Sequence, residues 1–497
     1  MELSNKSSRE HSKCVMSCEA IGKSSVHALS QLSQAKSSCA RVFWLVVFVV
    51  TVSGCAYQVY SFLNVYLQYQ VLIDLKYQRV MALDFPAVTV CNLNGITLNH
   101  IDCVNKSLIW DQCHPSPTQT GSVHGSGGSV SYIGGSGGLP LYRTLSYSLT
   151  STSNTSELQK SYNELAKNLL NRYSKLDGMS RRCYGHRLDD FILKCSFNSV
   201  TCDYNDFEYF LSKQYGNCFT FNRKSENDLN AKPRIVKRAG PQSGLELVLD
   251  VGLNSYSKVT PSFGVRVVIH NPREDPHPSQ KGVNIPFGVE SHLSLAKTSF
   301  HRLTSPYRDD CKNYPPTGGL NCVDECIQRV SMKLCGCADP FLMAALPKKV
   351  LCNLLNETQT ACMGRVLDLL SSNVEERLHT CDCRLPCFST EYDVQLQNMV
   401  MNRALVMRSV KSDRHFGKSY EPEECRGEKA LMPPTKLKVF FKTLDHKIYV
   451  QKPMFSYSEL YSQLGGNLSL WLGLSFVAMY EFAEKLFLFV KVALHIH

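Results

Sequence analysis

Twenty-two consecutive residues, Val42–Leu63 (VFWLVVFVVTVSGCAYQVYSFL), carry no charge. At about 1.5 Å of rise per residue, such a helix crosses the roughly 30 Å hydrocarbon core of a bilayer. A bilayer is therefore the first constraint on this fold. A cleaved signal peptide would place a 7–15-residue apolar stretch near the start. This run begins after 41 residues, so a retained signal anchor is the better match. Six basic residues precede it (Lys6, Arg9, Lys13, Lys23, Lys36 and Arg41) against Glu2, Glu10 and Glu19. The positive-inside rule then puts the N-terminus in the cytoplasm.

A second apolar run, Leu464–Leu494, is uncharged as far as Tyr480 and then meets Glu481, Glu484, Lys485 and Lys491. Two spans give a layout of residues 1–41 inside, 42–65 as the first span, 66–461 outside, 462–494 as the second span and 495–497 as a cytoplasmic stub.

The cysteines agree with that layout. Of 22, eighteen lie between Cys91 and Cys425. Outside the cell, an even, clustered set reads as a disulfide framework. Pairing first with last in the densest cluster gives a nested ladder: Cys311–Cys387, Cys322–Cys383, Cys326–Cys381, Cys335–Cys362 and Cys337–Cys352. Each bridge contributes about 2–4 kcal/mol. The rival, a zinc site, needs a reduced compartment and ligand spacers of two to four residues. Sequons at Asn105, Asn154 and Asn356 are expected to carry glycans. Asn467 fits the pattern but lies in the second span.

Within the ectodomain, Tyr66–Val90 reads as extended and ends in FPAVTVCN (Phe85–Asn92). The Gly/Ser tract His124–Gly138 reads as a flexible loop. Glu157–Tyr173, Asn321–Met332 and Glu391–Val410 read as helices, and Leu245–Val251 and Phe263–His270 as strands. The sequence has no G-x-S-x-G, H-E-x-x-H or phosphate-loop motif, so catalytic residues, a resident metal and cofactors are not expected. A net charge of +11 without a nucleic-acid motif gives no case for nucleic acid as a partner.

The second span holds GGNLSLWLGLSF (Gly465–Phe476), rich in glycine although each costs a helix roughly 1 kcal/mol relative to alanine. On one continuous helix, Ser462, Gly466, Ser469, Gly473, Val477, Tyr480 and Glu484 fall on or near one stripe. Close helix packing explains small residues at that spacing, and so does a narrow conduction path. A carboxylate deep in lipid costs roughly 2.5–3.5 kcal/mol, and a symmetric ring of carboxylates attracts cations.

These residues resemble the epithelial sodium channel, degenerin and acid-sensing channel family. The resemblance covers nearly the whole chain: Phe43-Trp44, FPAVTVCN, YGNCFTFN (Tyr215–Asn222), KLCGC (Lys333–Cys337), CDCRLPC (Cys381–Cys387) and GGNLSLWLGLS followed by Glu481. It implies an α+β fold: a disulfide-rich ectodomain of β-sheet palm, finger and helical thumb (about 307–411) flanked by two transmembrane helices. It also implies a trimer of this chain or of related subunits in the plasma membrane, amiloride-sensitive, with sodium as the permeant ion. The family's selectivity motif matches Gly473, Leu474 and Ser475. Its gate and pore positions match Ser462, Gly466, Ser469, Glu481 and Glu484. Its wrist aromatics match Tyr69 and Tyr307, and two further bridges match Cys91–Cys218 and Cys195–Cys202. For Cys103, Cys113, Cys183 and Cys425, the remaining guess is 103–113 and 183–425.

Several positions depart from the pattern. The family's His-Gly pair before the first span stands here as His27-Ala28, and a histidine pair of acid-sensing members as Gln70-Val71. Histidine is the side chain suited to modest acidification. Direct proton gating thereby loses one candidate sensor; an extracellular peptide ligand is the expected stimulus, with protons, force and constitutive opening as alternatives. A non-conducting, disulfide-rich receptor is the competing class.

Overall fold

A computed structural model describes residues 35, 37–96, 157–224, 231–252, 256, 260, 262–314, 318–342, 350–372, 381–402, 404–406, 434–473, 475, 480, 483–484 and 487. The chain divides into two compact units. One comprises Met1–Asp74, Leu303–Asp310 and Gln451–His497, and the other Leu75–Arg302 and Cys311–Val450.

The larger unit is built on two sheets. The strands, in chain order, are β1 (Val71–Arg79), β2 (Leu83–Asp84), β3 (Ala87–Asn92), β4 (Ile192–Phe197), β5 (Val200–Thr201), β6 (Phe207–Ser212) and β7 (Gly216–Phe221). After them come β8 (Ile235–Val236), β9 (Leu245–Leu249), β10 (Gly264–His270), β11 (Val283–Pro286), β12 (Val289–His301), β13 (Phe388–Val400) and β14 (Thr435–Pro453). One sheet runs β13-β12-β14-β9-β4-β5, with β1 also on β14, the other runs β11-β10-β3-β7-β6, and β2 and β8 form a separate two-stranded ribbon. Alternate residues of both sheets meet in one core. Leu245, Leu247 and Leu249, Leu293 and Leu295, and Leu437, Val439 and Phe441 pack in one cluster with Val88, Val90, Phe221, Val265 and Val267. A period of two places one set of side chains on one face of each strand. Burying each such side chain is worth roughly 1.5–3 kcal/mol.

The expected helix over Glu391–Val410 is a strand up to Val400. β13 pairs antiparallel with β12 over thirteen positions, from Val289 opposite Val400 to His301 opposite Phe388. Tyr392, Val394 and Leu396, spaced by two, pack against the sheet core. Pairing with a long neighbouring strand overrides local helical spacing.

His270 sits in this unit at the end of β10. Its Nδ1 lies 3.0 Å from the Asn271 carbonyl and therefore donates, so Nε2 accepts from the Thr89 hydroxyl at 2.8 Å. Thr89 in turn bonds Thr220 at 2.8 Å. Burial pushes the imidazole down to about 3. Between about pH 6.5 and 3 the unfolded chain binds this proton and the folded chain does not, so stability falls as the pH falls through that window. The loss is on the order of 1.4 kcal/mol per pH unit. His270→Gln should flatten the acid side of the Tm-against-pH curve of detergent-solubilised protein. Equal slopes in both proteins would remove His270 from the acid response.

The helical part of this unit contains α2 (Glu157–Ser174), α3 (Gly178–Tyr184), α4 (Gly318–Cys335) and α5 (Glu357–Ser372). α4 ends at Gly336, whose φ of 70° supplies the left-handed stop. Gln328 then clamps the next turn, donating to the Asp339 carbonyl at 2.7 Å and accepting from the Asp339 N–H at 2.8 Å. The buried clusters here are small: Cys326, Val366, Leu370 and Cys381 in one, Leu170, Cys337, Phe341, Cys352, Leu354 and Met363 in the other. Disulfides close around them, joining Cys311–Cys387, Cys322–Cys383, Cys326–Cys381, Cys335–Cys362 and Cys337–Cys352. The sheets hold Cys91–Cys218 and Cys195–Cys202. Cys183 is buried, with no disulfide partner among the described residues, and the guessed partner Cys425 lies outside them. Cys183 belongs to α3, which Asn217 on β7 holds by donating to the carbonyls of Arg182 and His186, both at 2.9 Å. Cys103, Cys113 and Cys425 lie outside the described residues.

In the smaller unit, α1 (Ser38–Tyr66) is 29 residues long with a mean hydropathy of 2.0 over its most apolar window. By length and composition it is able to cross a membrane. α6 (Tyr457–Leu472) opens on a capping box: the Ser456 side chain accepts from the Glu459 N–H and the Glu459 carboxylate accepts from the Ser456 N–H. It therefore begins five residues before the expected boundary at 462. It stops at Gly473, whose φ of 68° and ψ of 15° are left-handed. The single continuous helix assumed for the stripe from Ser462 to Glu484 is thus interrupted. Helical backbone recurs at Tyr480 and at Ala483-Glu484.

Candidate functional site: a wrist and a broken span

At the end of α1, aromatic rings gather. Phe62 meets Phe455 edge-on at 5.4 Å between centroids, and Tyr66 lies 6.3 Å from Tyr69. Tyr69 meets Tyr307 edge-on at 5.9 Å and 85°. Edge-to-face pairs of this kind add about 0.5–1.5 kcal/mol beyond their buried area. Tyr69 has a φ of 48°, unusual for a bulky residue, and its N–H reaches the Tyr66 carbonyl at 3.1 Å. Such strain persists only where surrounding structure holds it. Here the Gln70 carbonyl accepts from Met454 N at 2.9 Å, and Asp74 accepts from Lys452 at 2.8 Å. Gln451 secures the segment that carries Tyr307, reaching Leu303 N at 3.0 Å and Asp309 Oδ2 at 2.5 Å. Tyr69 and Tyr307 are thus in contact. Phe62, Tyr66 and Phe455 join them without having been singled out in the sequence, where FSYSELY (Phe455–Tyr461) reads only as the approach to a span.

α6 has two distinct faces. Leu464, Asn467, Leu468 and Trp471 are half-buried, whereas Ser462, Gly466 and Ser469 are exposed. The contact with α1 includes Trp471, whose indole N–H donates to Gln58 Oε1 at 2.9 Å. A Cβ placed on Gly465, Gly466 or Gly473 would meet nothing within 4 Å. Packing against α1 therefore does not explain those glycines. The small residues line a face left open in the single chain, and that face leads to the left-handed turn at Gly473.

Ser475 and Glu484 are exposed beyond that turn. Leu474, Glu481, His27, Ala28, Asn105 and Asn154 lie outside the described residues. Asn356 is exposed, and its Oδ1 accepts from Thr358 N at 3.0 Å and from the Thr358 hydroxyl at 2.6 Å at the start of α5. Among the described residues, no group of three or more histidine, cysteine, aspartate or glutamate side chains is placed to hold a metal ion.

Burial lowers the imidazoles of His270 and His277, to about 3 and about 4, and that of His446 as well. His270 and His277 are thereby held neutral well into the acid range.

Comparison with known proteins bears on this arrangement. Degenerin unc-8 of Caenorhabditis elegans is 28% identical over 332 residues, covering 64% of this chain and 41% of that protein. Bile acid-sensitive ion channel of Rattus norvegicus is 25% identical over 489 residues, covering 93% of this chain and 86% of that protein. The chain thus spans less than half the length of the degenerin and most of the rat channel. A family model described as amiloride-sensitive sodium channel matches residues 21–484, from before α1 to beyond the break in the second apolar run. With a disulfide-rich α/β region between an apolar helix and that broken run, the chain belongs to the amiloride-sensitive sodium channel family.

Proposed function

We propose that the chain is one subunit of a trimeric, sodium-preferring cation channel of the plasma membrane, blocked by amiloride. Both termini lie in the cytoplasm, two spans cross the bilayer, and the ectodomain has palm, finger and thumb. The observation that carries this reading is the open face of Ser462, Gly466 and Ser469 ending at the left-handed Gly473. Three such faces around an axis leave a narrow path whose walls are small side chains and backbone, with Gly473, Leu474 and Ser475 at its constriction. Glu481 and Glu484 beyond it concentrate cations. Tyr69 and Tyr307 pass an extracellular signal to the spans, and His27-Ala28 stands at the inner mouth.

The opening stimulus is an extracellular peptide rather than a proton. Support comes from Gln70-Val71 where histidines would stand, and from the depressed imidazoles of His270, His277 and His446. A glycan on Asn356 leaves its Oδ1 free to keep capping α5.

The test is expression in oocytes under voltage clamp, with an acid step, a panel of amidated peptides, sodium replacement and amiloride. A peptide-evoked, amiloride-blocked current carried by sodium is expected. An acid-evoked current would overturn the stimulus while leaving the pore. Surface protein that passes no current under any condition, alone or with related subunits, would favour a non-conducting receptor. Once current is obtained, Tyr69→Ala should cut the evoked current severalfold at equal surface density, as measured by biotinylation. An unchanged current would remove the wrist pair from coupling.

A further inference from the structure

Gln58 is a polar residue in the apolar stretch of α1, one turn after Gly54. Residues four apart on a helix share a face, and both touch the same side chain. The Trp471 indole donates to Gln58 Oε1 at 2.9 Å. Its six-membered ring lies so close to the α1 backbone that a Cβ on Gly54 would come within 2.7 Å of Cζ3 and 2.8 Å of Cη2. Only glycine at 54 lets the ring settle there. Only a side chain with an acceptor at 58 satisfies its N–H in a membrane, where water is absent and an unpaired polar group is costly.

Trp471 lies in the last turn of α6, two residues before Gly473, whose N–H closes that turn on the Ser469 carbonyl at 3.0 Å. Fixing the indole fixes the rotation of the last turn, and so the direction in which the chain leaves the helix. We infer that Gly54 and Gln58 of the first span form a seat for Trp471 that positions the Gly473–Ser475 segment, making them positioning residues for ion selectivity. The selectivity half of this inference rests on the channel reading above; the seat itself does not.

The test has two arms. In the first, the sodium-to-potassium permeability ratio is taken from reversal potentials, under whichever stimulus opens the wild type, for Gln58→Leu, Gln58→Met, Gly54→Ala and Trp471→Phe. Each should lower the ratio about threefold, the factor an ordinary interhelical hydrogen bond in a membrane supplies. Gln58→Met in the Trp471→Phe background should lower it no further, because both changes remove one and the same bond. A change confined to packing or expression alters current size and surface density, not the reversal potential. In the second arm, full-length protein in membranes carrying both Gly54→Cys and Trp471→Cys is treated with a short bis-thiosulfonate bridge. An intrachain cross-link is expected by mass spectrometry, and it needs no current.

Cross-linking with unchanged ratios in Gln58→Met and Gly54→Ala would overturn the positioning role and leave the channel reading standing. No cross-link would overturn the seat. A cross-link in a protein that passes no ions under any stimulus would overturn the channel reading, and the selectivity role with it.

Discussion

Gly473→Ala should lower the sodium-to-potassium permeability ratio about tenfold, while Gly473→Asn should keep most of it. The two substitutions separate backbone from bulk. A Cβ at this position meets nothing within 4 Å, so crowding within the chain does not decide the outcome. The φ of 68° does. A left-handed conformation costs an ordinary L-residue roughly 1–2 kcal/mol, and asparagine enters it more readily than alanine. About 1.4 kcal/mol is a factor of ten in an equilibrium. Alanine is also the best helix former, so Gly473→Ala favours carrying α6 onward past the turn, away from the geometry that the proposed constriction requires. The check is the reversal potential under sodium and potassium, with surface density measured in parallel. Alanine and asparagine variants that both match the wild type would mean the turn at Gly473 does not shape the path.

The second large effect concerns folding. Removing the Cys91–Cys218 bridge with Cys91→Ser and Cys218→Ser should keep the protein from reaching the surface. The bridge joins β3 to β7, both sulfurs are in residues fully buried between strands, and it links positions 127 apart. By loop-closure entropy alone it is worth about 5 kcal/mol, and two buried hydroxyls without assured partners add to the loss. Native domains have only about 5–15 kcal/mol in hand. The Cys195–Cys202 bridge, which closes seven residues, is worth about 2 kcal/mol on the same scale. Cys195→Ser with Cys202→Ser should therefore reach the surface with a lowered Tm. Equal surface delivery of the two double variants, by biotinylation, would show that loop length does not set the difference.

Much of the fold was legible because its cues are local. Leu245, Leu247 and Leu249 alternate as a half-buried strand must, and α4 follows from spacing over Asn321–Met332 with a glycine at its end. Nesting alone accounts for the five bridges around α4 and α5, whereas Cys91–Cys218 and Cys195–Cys202 rest on resemblance. β13 was misread because Leu396, Met399 and Val400 also fit helical spacing, and only the thirteen-position partner strand β12 decides between the two periods. The break at Gly473 was hidden for a related reason: small residues every three or four positions describe an unbroken stripe equally well. The Trp471–Gln58 bond joins residues 413 apart, and neither carries a local signal of the other.

The two halves of the larger unit differ in what holds them, and that difference bears on how such a protein diversifies. The sheets depend on side chains that fit one another, so most changes at Leu247, Leu293 or Phe441 weaken the whole. The helices α4 and α5 are tied chiefly by covalent bridges around clusters of four and six buried residues. With few side chains committed to packing, most of their surface can drift without loss of shape. Over many generations, new recognition should accumulate on the bridged helices, while the sheets stay nearly fixed.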